Sequence, residues 1–533
     1  MKKNVLKATG AVMALTLLVS SFSACGSSKK AENPGATADS KSGQTVEIKV
    51  PVYDRGVQGE PPVDNNYWTK WVQDNALKAI NVKVTYVPIP RTQDVDKFNM
   101  LLAANDAPDI INSYDFPVIS AFYSRGALQE IPQATLDKYG SNLQTFLGKD
   151  LLKYGAINGK QYLIPAKRPM LGDMATTIRK DWLDTLGMKV PTNTDELYTV
   201  LKAFKEKDPG KLGAGNVIPM GVGIITDNAL RIPDYGFRPD NLSEEEFAMY
   251  SDLILPALSW APTKETLKYY NKLYNDGLIS PDFALDKDNK KLEADATNGK
   301  VGMFALRVLK SPPVFSTILK NNPNAKFAPV TALQLPGKKP SGYGYYPFGM
   351  LNGINKNTKN PEAVVKFLDW MSSKDVLTTL QNGFEGKNYK TQDGLPIADG
   401  NYKGDERLIL GTNKDYFCLV SEQRDLGDMD KNIKLNAIAQ APEGLTDYYI
   451  ENYKASLATM NTQNFLFNQA VTSLNKNQKT LIAKWEEAAV KLVMCKPSDF
   501  DSTYDKYSKE YLASGYQEVL DEKKKIYNDM KKK

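Results

Sequence analysis

The side chains that could do chemistry in this sequence are three cysteines and many carboxylates, because histidine is absent. Without histidine the chain has no Ser-His-Asp or Cys-His nucleophilic system and no zinc site of the H-E-x-x-H type. A glycoside hydrolase needs two carboxylates about 5–10 Å apart, so that enzyme class stays open. No acidic pair lies in a recognisable catalytic context, and the sequence therefore favours a protein that is not an enzyme.

Cys25 follows a segment with the features of a secretory signal peptide. Lys2, Lys3 and Lys7 are basic, an apolar stretch covers residues 8–19, and small residues precede Cys25. This pattern predicts a signal peptide at 1–24, and its apolar stretch is shorter than the roughly 20 residues of a membrane span. Residues 25–44 are rich in Ser, Lys, Ala and Gly, which predicts a flexible tether.

The small residues before Cys25 resemble the lipobox of bacterial lipoproteins. The resemblance implies that the Cys25 sulfur carries a diacylglyceryl group, with fatty acids such as palmitate, and that Cys25 becomes the first residue. We therefore expect a lipid-anchored protein on the outer side of the cell membrane, in a Gram-positive envelope. The alternative is an ordinary signal peptide with an incidental cysteine.

Cys418 and Cys495 are the remaining cysteines. One pair in a chain of this length is not a disulfide framework. The two residues could form one disulfide in an oxidising compartment, but two buried thiols are the favoured interpretation.

The length and charge of the chain exclude some classes of protein. The chain has 533 residues and a net charge of +6, of which three charges belong to the predicted signal peptide, leaving 6 − 3 = +3. Roughly 490 residues after the tether predict two or three folding units. The charges are mixed in sign without a basic stripe, so no nucleic-acid partner is expected.

The pattern of apolar residues predicts an α/β protein. Residues 46–50 and 82–87 alternate as strands do, and a helical stretch around Trp68 separates them. A short apolar strand follows at 108–111, and this order predicts βαβ units and a mostly parallel sheet with helices on both faces. Asn193 is predicted to cap one helix and Asn360 another. After Thr446 the chain is predicted to be mainly helical.

Several motifs along the chain resemble the family 1 extracellular solute-binding proteins, which serve carbohydrate ABC importers. The motifs keep the family order: MLLAANDAPDI (100–110), IRKDWLD (178–184), GKVGMF (299–304), NTKNPEA (357–363), NGFEGK (382–387) and a helical C-terminus over 500–527. The large oligosaccharide-binding members are the most similar. The matches cover most of the chain after the tether.

The resemblance implies a two-lobed periplasmic-binding-protein-like fold of type II, with hinge crossings between the lobes and a helical C-terminal part. The implied lobes are 45–164 with about 347–430, and 165–346 with about 431–533. Many relatives carry a calcium loop at the position of residues 208–216. This chain has too few carboxylates there for a cation that takes about 6–8 oxygens, so no metal and no cofactor are expected.

The resemblance also implies a function, namely capture of an oligosaccharide between the lobes and its delivery to an ABC transporter permease. The protein is expected to act as a monomer. Two alternatives stay open: a receptor of the same fold for a peptide or another solute, and a surface glycoside hydrolase.

A sugar-binding cleft needs aromatic rings against the C–H faces of the sugar and polar groups at its edges. In α/β sheets, ligands meet the loops at the carboxyl ends of strands. The loop after the first strand offers Tyr53, Asp54, Arg55 and Asn66, and the loop after the third offers Tyr114 and Asp115. The predicted hinge crossings offer Arg168, Tyr345 and Tyr346. The other candidates are Trp260 in a loop, Arg307 at a further strand end and Glu385 between two glycines. Each could instead be a cap, turn or core residue.

Overall fold

The architecture was analysed in a computed structural model of the chain. It describes residues 44–532 except 58, 173–174, 223–238, 252–254, 287–288, 306–310, 332, 334, 409–413, 422–423 and 462–464. The predicted signal peptide, nearly all of the predicted tether, Cys25 and Arg307 lie outside the described residues.

The described residues contain strands that are mostly short. They are β1 Val46–Asp54, β2 Val82–Pro90, β3 Ile110–Ser113, β4 Leu128–Gln129, β5 Ala156–Ile157, β6 Lys160–Gln161, β7 Leu163–Lys167, β8 Thr176–Arg179, β9 Ile218–Met220, β10 Val301–Phe304, β11 Phe327–Val330, β12 Gly342–Tyr343, β13 Phe348–Asn355, β14 Tyr389–Gln392, β15 Leu395–Ala398 and β16 Met460–Asn461.

Helices make up most of the remaining secondary structure. They are α1 Tyr67–Ile80, α2 Asp94–Ala103, α3 Phe116–Ser124, α4 Gln133–Tyr139, α5 Ser141–Leu152, α6 Lys180–Leu186, α7 Thr194–Lys207, α8 Glu244–Tyr250, α9 Ala261–Asn275, α10 Lys290–Thr297, α11 Ser311–Asn321, α12 Pro361–Ser372, α13 Lys374–Asn382, α14 Met429–Gln440, α15 Thr446–Ala458, α16 Thr472–Met494, α17 Phe500–Tyr511 and α18 Gln517–Lys531. Across the part of the chain that is described, no helix combines the length and apolar character that a bilayer span requires.

Local capping explains where two helices begin. The side chain of Asn66 accepts hydrogen bonds from the backbone N–H groups of Trp68 and Thr69 at the start of α1, which satisfies donors that the helix itself leaves open. Asn193 caps α7 as predicted. Asn360 occupies the predicted position before α12, but its side chain makes no capping hydrogen bond; Pro361 starts that helix.

The sheets are mixed, so the prediction of mostly parallel sheets was wrong. β1 pairs with β2 in parallel, but β13 runs antiparallel to β3, β4 and β7. In a second sheet of order β11-β8-β10-β9, the β8 pairings are antiparallel. β13 comes from a distant part of the sequence and runs antiparallel to the strands it joins. A βαβ pattern, which is read from neighbouring stretches of sequence, does not predict such a pairing.

The described residues form two large hydrophobic cores and two smaller ones. Residues 48–166 and 348–420 build the N-terminal core. The C-terminal core is built from residues within 178–333 and 471–526. Other residues within 170–327, together with residues 433–453, build a third core, which we call the small core. The chain thus leaves the N-terminal core after β7, returns to it with β13 and leaves it again after residue 420.

Three crossing segments lie side by side where the chain passes between these cores; they are residues 167–171, 342–348 and 419–421. The backbone N–H of Lys167 donates to the carbonyl of Leu419 at 2.7 Å, and the N–H of Arg168 donates to the carbonyl of Pro347 at 2.9 Å. These hydrogen bonds join the first crossing segment to each of the other two.

Cys418 and Cys495 are both free thiols. Cys418 is buried in the N-terminal core, and burial raises its pKa to about 12. Cys495 packs against the C-terminal core. The two thiols therefore belong to different cores and do not form the disulfide that the sequence left open.

Candidate functional site

An aromatic cavity lies where the carboxyl end of β3 meets α8, the start of α16 and the crossing segments. Its volume is about 150 Å³. Eight of its described lining residues are aromatic, and the lining also includes a carboxylate, a guanidinium and a buried ammonium group. The aromatic residues are Tyr114, Phe116, Phe247, Tyr345, Tyr346, Phe348, Phe465 and Phe467, and the charged ones are Asp115, Arg168 and Lys523.

Arg168 and the two tyrosines predicted with it meet in this cavity. The Arg168 guanidinium lies 4.4 Å from the ring centroid of Tyr345, a cation–π distance. The hydroxyl of Tyr346 donates to the carbonyl of Phe465 at 2.9 Å, and its ring stacks on Phe348 with centroids 5.3 Å apart. The crossing segments therefore place the Arg168 guanidinium and the rings of Tyr345 and Tyr346 together in the cavity lining.

The ends of β1 and β3, which belong to different sheets, form a second group beside the cavity. The rings of Tyr53 and Tyr114 stack with centroids 5.9 Å apart, and the Arg91 guanidinium lies 5.0 and 5.2 Å from them. Arg55 pairs with the buried carboxylate of Asp415, and the Tyr114 hydroxyl lies 3.4 Å from Oδ1 of Asp415.

Charge and burial fix the protonation states in this group. Burial raises the pKa of Tyr53 well above its ordinary value, so its hydroxyl stays neutral. Although burial disfavours the charged guanidinium, Asp415 raises the pKa of Arg55. Tyr53 therefore stays neutral and Arg55 stays charged across the physiological pH range.

Four other predicted residues lie outside the cavity lining. Asn66 is occupied as the cap of α1, and exposed Asp54 accepts a hydrogen bond from the N–H of Gly56. Trp260 is buried in the C-terminal core, where it stacks on Tyr250 with centroids 5.6 Å apart and donates from Nε1 to Glu246. Glu385 is exposed and accepts from the Thr391 hydroxyl.

Several residues of the site were missed by sequence reasoning. Arg91 and Asp415 join the strand-end group, and Phe247, Phe465 and Phe467 line the cavity. Arg91 follows β2 directly, so the strand-end rule contained a signal for it. The phenylalanines lie beyond the predicted strand ends and carry no such signal.

A second hollow, of about 780 Å³, shares Arg168 in its lining with the aromatic cavity. We call it the hinge hollow; Lys153, Tyr154, Lys167, Asp425 and Asp428 contribute to it. Its described lining contains one aromatic ring, that of Tyr154. Since sugar faces are recognised by aromatic rings, the smaller aromatic cavity is the better candidate for a sugar site.

The loop at residues 208–216, where the resemblance raised the question of a calcium site, is closed by its own aspartate. The carboxylate of Asp208 accepts hydrogen bonds from the N–H groups of Leu212 at 2.8 Å and Gly213 at 2.7 Å. Over the described ranges, no group of three or more acidic or thiol side chains is arranged to hold a metal ion.

A salt bridge between Lys167 and Asp425 lies in the lining of the hinge hollow, next to the crossing segments. Nζ of Lys167 lies 2.8 Å from Oδ2 of Asp425, whose side chain is 4% exposed. Burial alone would raise the pKa of Asp425, but hydrogen bonds from Lys167 and Asn432 lower it below its ordinary value. The carboxylate is therefore ionised in the folded chain.

Replacing Asp425 by Asn is expected to destabilise the fold in a pH-dependent way. Because the folded-state pKa of Asp425 is lowered, its ionised form stabilises the fold at neutral pH, and this contribution is lost as the pH falls below about 4. Asp425→Asn should therefore lower the free energy of unfolding at pH 7 by about 1–3 kcal/mol. Urea denaturation from pH 7 to pH 3 measures the difference, which should shrink toward the acid end.

A matched control for this variant is Asp184→Asn, which breaks an exposed pair with Lys180 on α6. Exposed pairs contribute about 0–1 kcal/mol, so this variant should unfold almost like the original chain. Equal stabilities of the Asp425 and Asp184 variants at pH 7 would contradict the prediction.

Comparison with known proteins gives a family, two relatives and a fold. Residues 61–377 match the family model of the bacterial extracellular solute-binding protein. Lipoprotein LipO of Bacillus subtilis (strain 168) is 25% identical over 461 residues, which cover 84% of this chain and 82% of LipO. The polygalacturonan/rhamnogalacturonan-binding protein YtcQ of the same organism is 27% identical over 334 residues, or 60% of this chain and 64% of YtcQ.

A solved structure shows the same architecture. An extracellular solute-binding protein from Bifidobacterium longum subsp. infantis superposes with a TM-score of 0.66 at 21% identity, over 92% of this chain and 99% of that chain. The predicted two-lobed α/β fold is therefore confirmed.

Proposed function

Because this chain belongs to the bacterial extracellular solute-binding proteins, we propose that it captures an oligosaccharide between its lobes and delivers it to an ABC import permease. The family consists of binding proteins, and we propose that this member likewise binds its ligand without altering it. Among its relatives, YtcQ is named for binding polygalacturonan and rhamnogalacturonan, which supports a sugar ligand for this chain.

The aromatic cavity is the observation that carries this proposal. Its lining contains the aromatic rings of Tyr345 and Tyr346 and the charged side chains of Asp115 and Arg168. Aromatic rings suit the C–H faces of a sugar, and charged groups suit its hydroxyls. One stacked ring that removes about 100 Å² of apolar surface from water contributes roughly 2–3 kcal/mol. Two or three such rings with hydrogen bonds suffice for micromolar binding, which needs about 8 kcal/mol.

We propose that the crossing segments act as the hinge of this clamp. Under this proposal one lobe contains the N-terminal core, and the other contains the C-terminal and small cores. The aromatic cavity of about 150 Å³ is smaller than ligand pockets of about 300–1,000 Å³. Opening at the hinge admits the sugar, and closing surrounds it.

Isothermal titration calorimetry tests the proposal directly. The full-length chain in detergent is titrated with oligosaccharides of polygalacturonan, rhamnogalacturonan, inulin and starch. Binding with a micromolar or lower dissociation constant is expected for at least one of them, and chromatography after incubation should return that sugar uncleaved. Absence of binding across the panel would contradict a sugar ligand, and cleavage would indicate a glycoside hydrolase instead.

We further propose that Cys25 carries the lipid anchor and holds the protein at the outer face of the membrane. Two acyl chains contribute about 0.8 kcal/mol for each buried CH₂ group, which is enough for stable anchoring. Expressed in a Gram-positive host, the Cys25→Ala chain should therefore move from the membrane fraction to the culture medium. Cell fractionation with immunoblotting measures this change.

The matched control is Cys418→Ala, which removes a thiol buried in the N-terminal core. That variant should stay in the membrane fraction like the original chain. Retention of the Cys25 variant in the membrane fraction would show that something other than a cysteine-linked lipid holds the protein there.

A further inference from the structure

Just beyond the third crossing segment, one buried arginine has no acidic partner among the described residues. Arg424 is 6% exposed, and the carboxylate of the neighbouring Asp425 pairs with Lys167 instead. Arginine side chains are rarely buried unless they are paired, because moving a charge out of water is costly. The charge of Arg424 therefore calls for a negative group that the described part of the chain does not supply.

Two long hydrogen bonds are what the described residues offer to this guanidinium. Nη1 of Arg424 lies 3.4 Å from Oδ1 of Asn382 at the end of α13 and 3.5 Å from the carbonyl oxygen of Pro396 in β15. Both distances exceed the roughly 2.7–3.2 Å of ordinary N–H···O hydrogen bonds. Both acceptors are uncharged, so neither balances the charge of the guanidinium.

Hydrogen bonds fix the backbone of Arg424 between two helices. Its N–H donates to Oδ1 of Asn436 in α14, and Nδ2 of Asn436 donates back to its carbonyl, both at 3.1 Å. The next N–H, that of Asp425, donates to Oε1 of Gln381 in α13 at 2.7 Å. Because the backbone is held in this way, the side chain cannot readily move into bulk water. Its charge must be balanced where it lies.

The other edge of the guanidinium has the form of an oxyanion receptor. Nε and Nη2 of Arg424 donate to no described group, and neither is a fully enclosed polar atom, so solvent reaches this edge. The two parallel N–H groups of such an edge match two oxygens of a carboxylate or phosphate. Burial lowers the pKa of Arg424 to about 10, and the side chain therefore stays charged at neutral pH.

We propose that Arg424 forms a binding site for a small oxyanion, a carboxylate or phosphate, which accepts hydrogen bonds from Nε and Nη2. The site is separate from the proposed sugar site, because Arg424 lines neither the aromatic cavity nor the hinge hollow. A bound oxyanion supplies the negative charge and so stabilises the junction of α13, β15 and α14 next to the third crossing segment.

Urea denaturation tests the site, since a ligand that binds only the folded chain stabilises it. The full-length chain in detergent and its Arg424→Met variant are unfolded at pH 7 in sodium chloride, sodium phosphate and sodium acetate of equal ionic strength. Because salts also act on protein surfaces in general, the measured quantity is the rise in urea midpoint over chloride in the original chain minus the rise in the variant. This difference should be about 0.3 M for phosphate or acetate, and the larger value identifies the preferred oxyanion.

The methionine substitution is expected to leave the chain folded, because replacing a buried charge by an apolar group is often neutral or stabilising. In chloride, the urea midpoint of Arg424→Met should therefore equal or exceed that of the original chain. Arg424→Lys is a second variant, which keeps a positive charge but lacks the paired N–H groups. It should retain less than about half of the anion-dependent rise.

The matched control is Arg125→Met, which removes an exposed guanidinium bonded to Asn99 and should show the same rise as the original chain. Equal rises in the original chain and in Arg424→Met for both anions would overturn the inference, because the anions would then act without Arg424. An equally large loss of the rise in Arg125→Met would also overturn it, since general surface charge would explain the effect. The proposed function is tested separately, by sugar binding.

Discussion

Arg168→Met should raise the dissociation constant for the captured oligosaccharide at least about hundredfold, or about 2.7 kcal/mol. The guanidinium lies in the cavity wall, 4.4 Å from the Tyr345 ring centroid. It offers five N–H donors in a fixed plane, and hydrogen bonds from a charged donor to sugar hydroxyls are the strong ones. Methionine keeps much of the side-chain volume but removes the charge and every donor.

Calorimetry with the sugar that the original chain binds best measures this loss. Arg125→Met is the matched control, because Arg125 is exposed and bonds Asn99 on the lobe surface; it should bind like the original chain. The prediction would be wrong if Arg168→Met kept the original affinity, since the site would then lie elsewhere.

Gly349→Ala should cost about 2 kcal/mol in the free energy of unfolding and should weaken sugar binding. Gly349 lies in β13, where an added Cβ atom would overlap Cβ and Oγ of Ser421 in the third crossing segment. The same Cβ would stand 3.5 Å from Nη2 of Arg168. The overlap must push the third crossing segment away from β13, which displaces the proposed hinge and, with it, Arg168 in the cavity lining.

A double-mutant cycle with Ser421→Gly tests this steric explanation. Ser421→Gly alone loses the hydrogen bond from the N–H of Met350 to Oγ, at a cost of about 1 kcal/mol. In that background the space for a Cβ atom is open, so adding Gly349→Ala should cost almost nothing. Urea denaturation of all four chains gives the coupling energy. Additive losses in the double variant would contradict close packing as the cause.

Local patterns predicted most of the elements that build the site. The alternation in β1 and β2, the Asn193 cap and the helical C-terminal part depend on residues near each other in sequence. The strand-end rule likewise placed Tyr53, Tyr114 and Arg55 near one another. Such features follow from backbone geometry and local hydrogen bonding, which short stretches of sequence encode.

Contacts between distant parts of the chain could not be predicted in this way. Asp415 pairs with Arg55 across 360 positions, and no periodic pattern connects two such residues. Trp260 lies in a loop, which suggested exposure, but its ring fills the C-terminal core against Tyr250. The antiparallel direction of β13 could not be predicted for the same reason, because it depends on pairing with strands far away in the sequence.

A crystal structure of the chain with its best-binding oligosaccharide tests the central claim most directly. The account predicts a sugar ring in the aromatic cavity, stacked on Tyr345 or Tyr346 and hydrogen-bonded by Arg168, with the two lobes closed around it. A sugar bound outside the cavity, without contact to Arg168 or either tyrosine, would contradict the account.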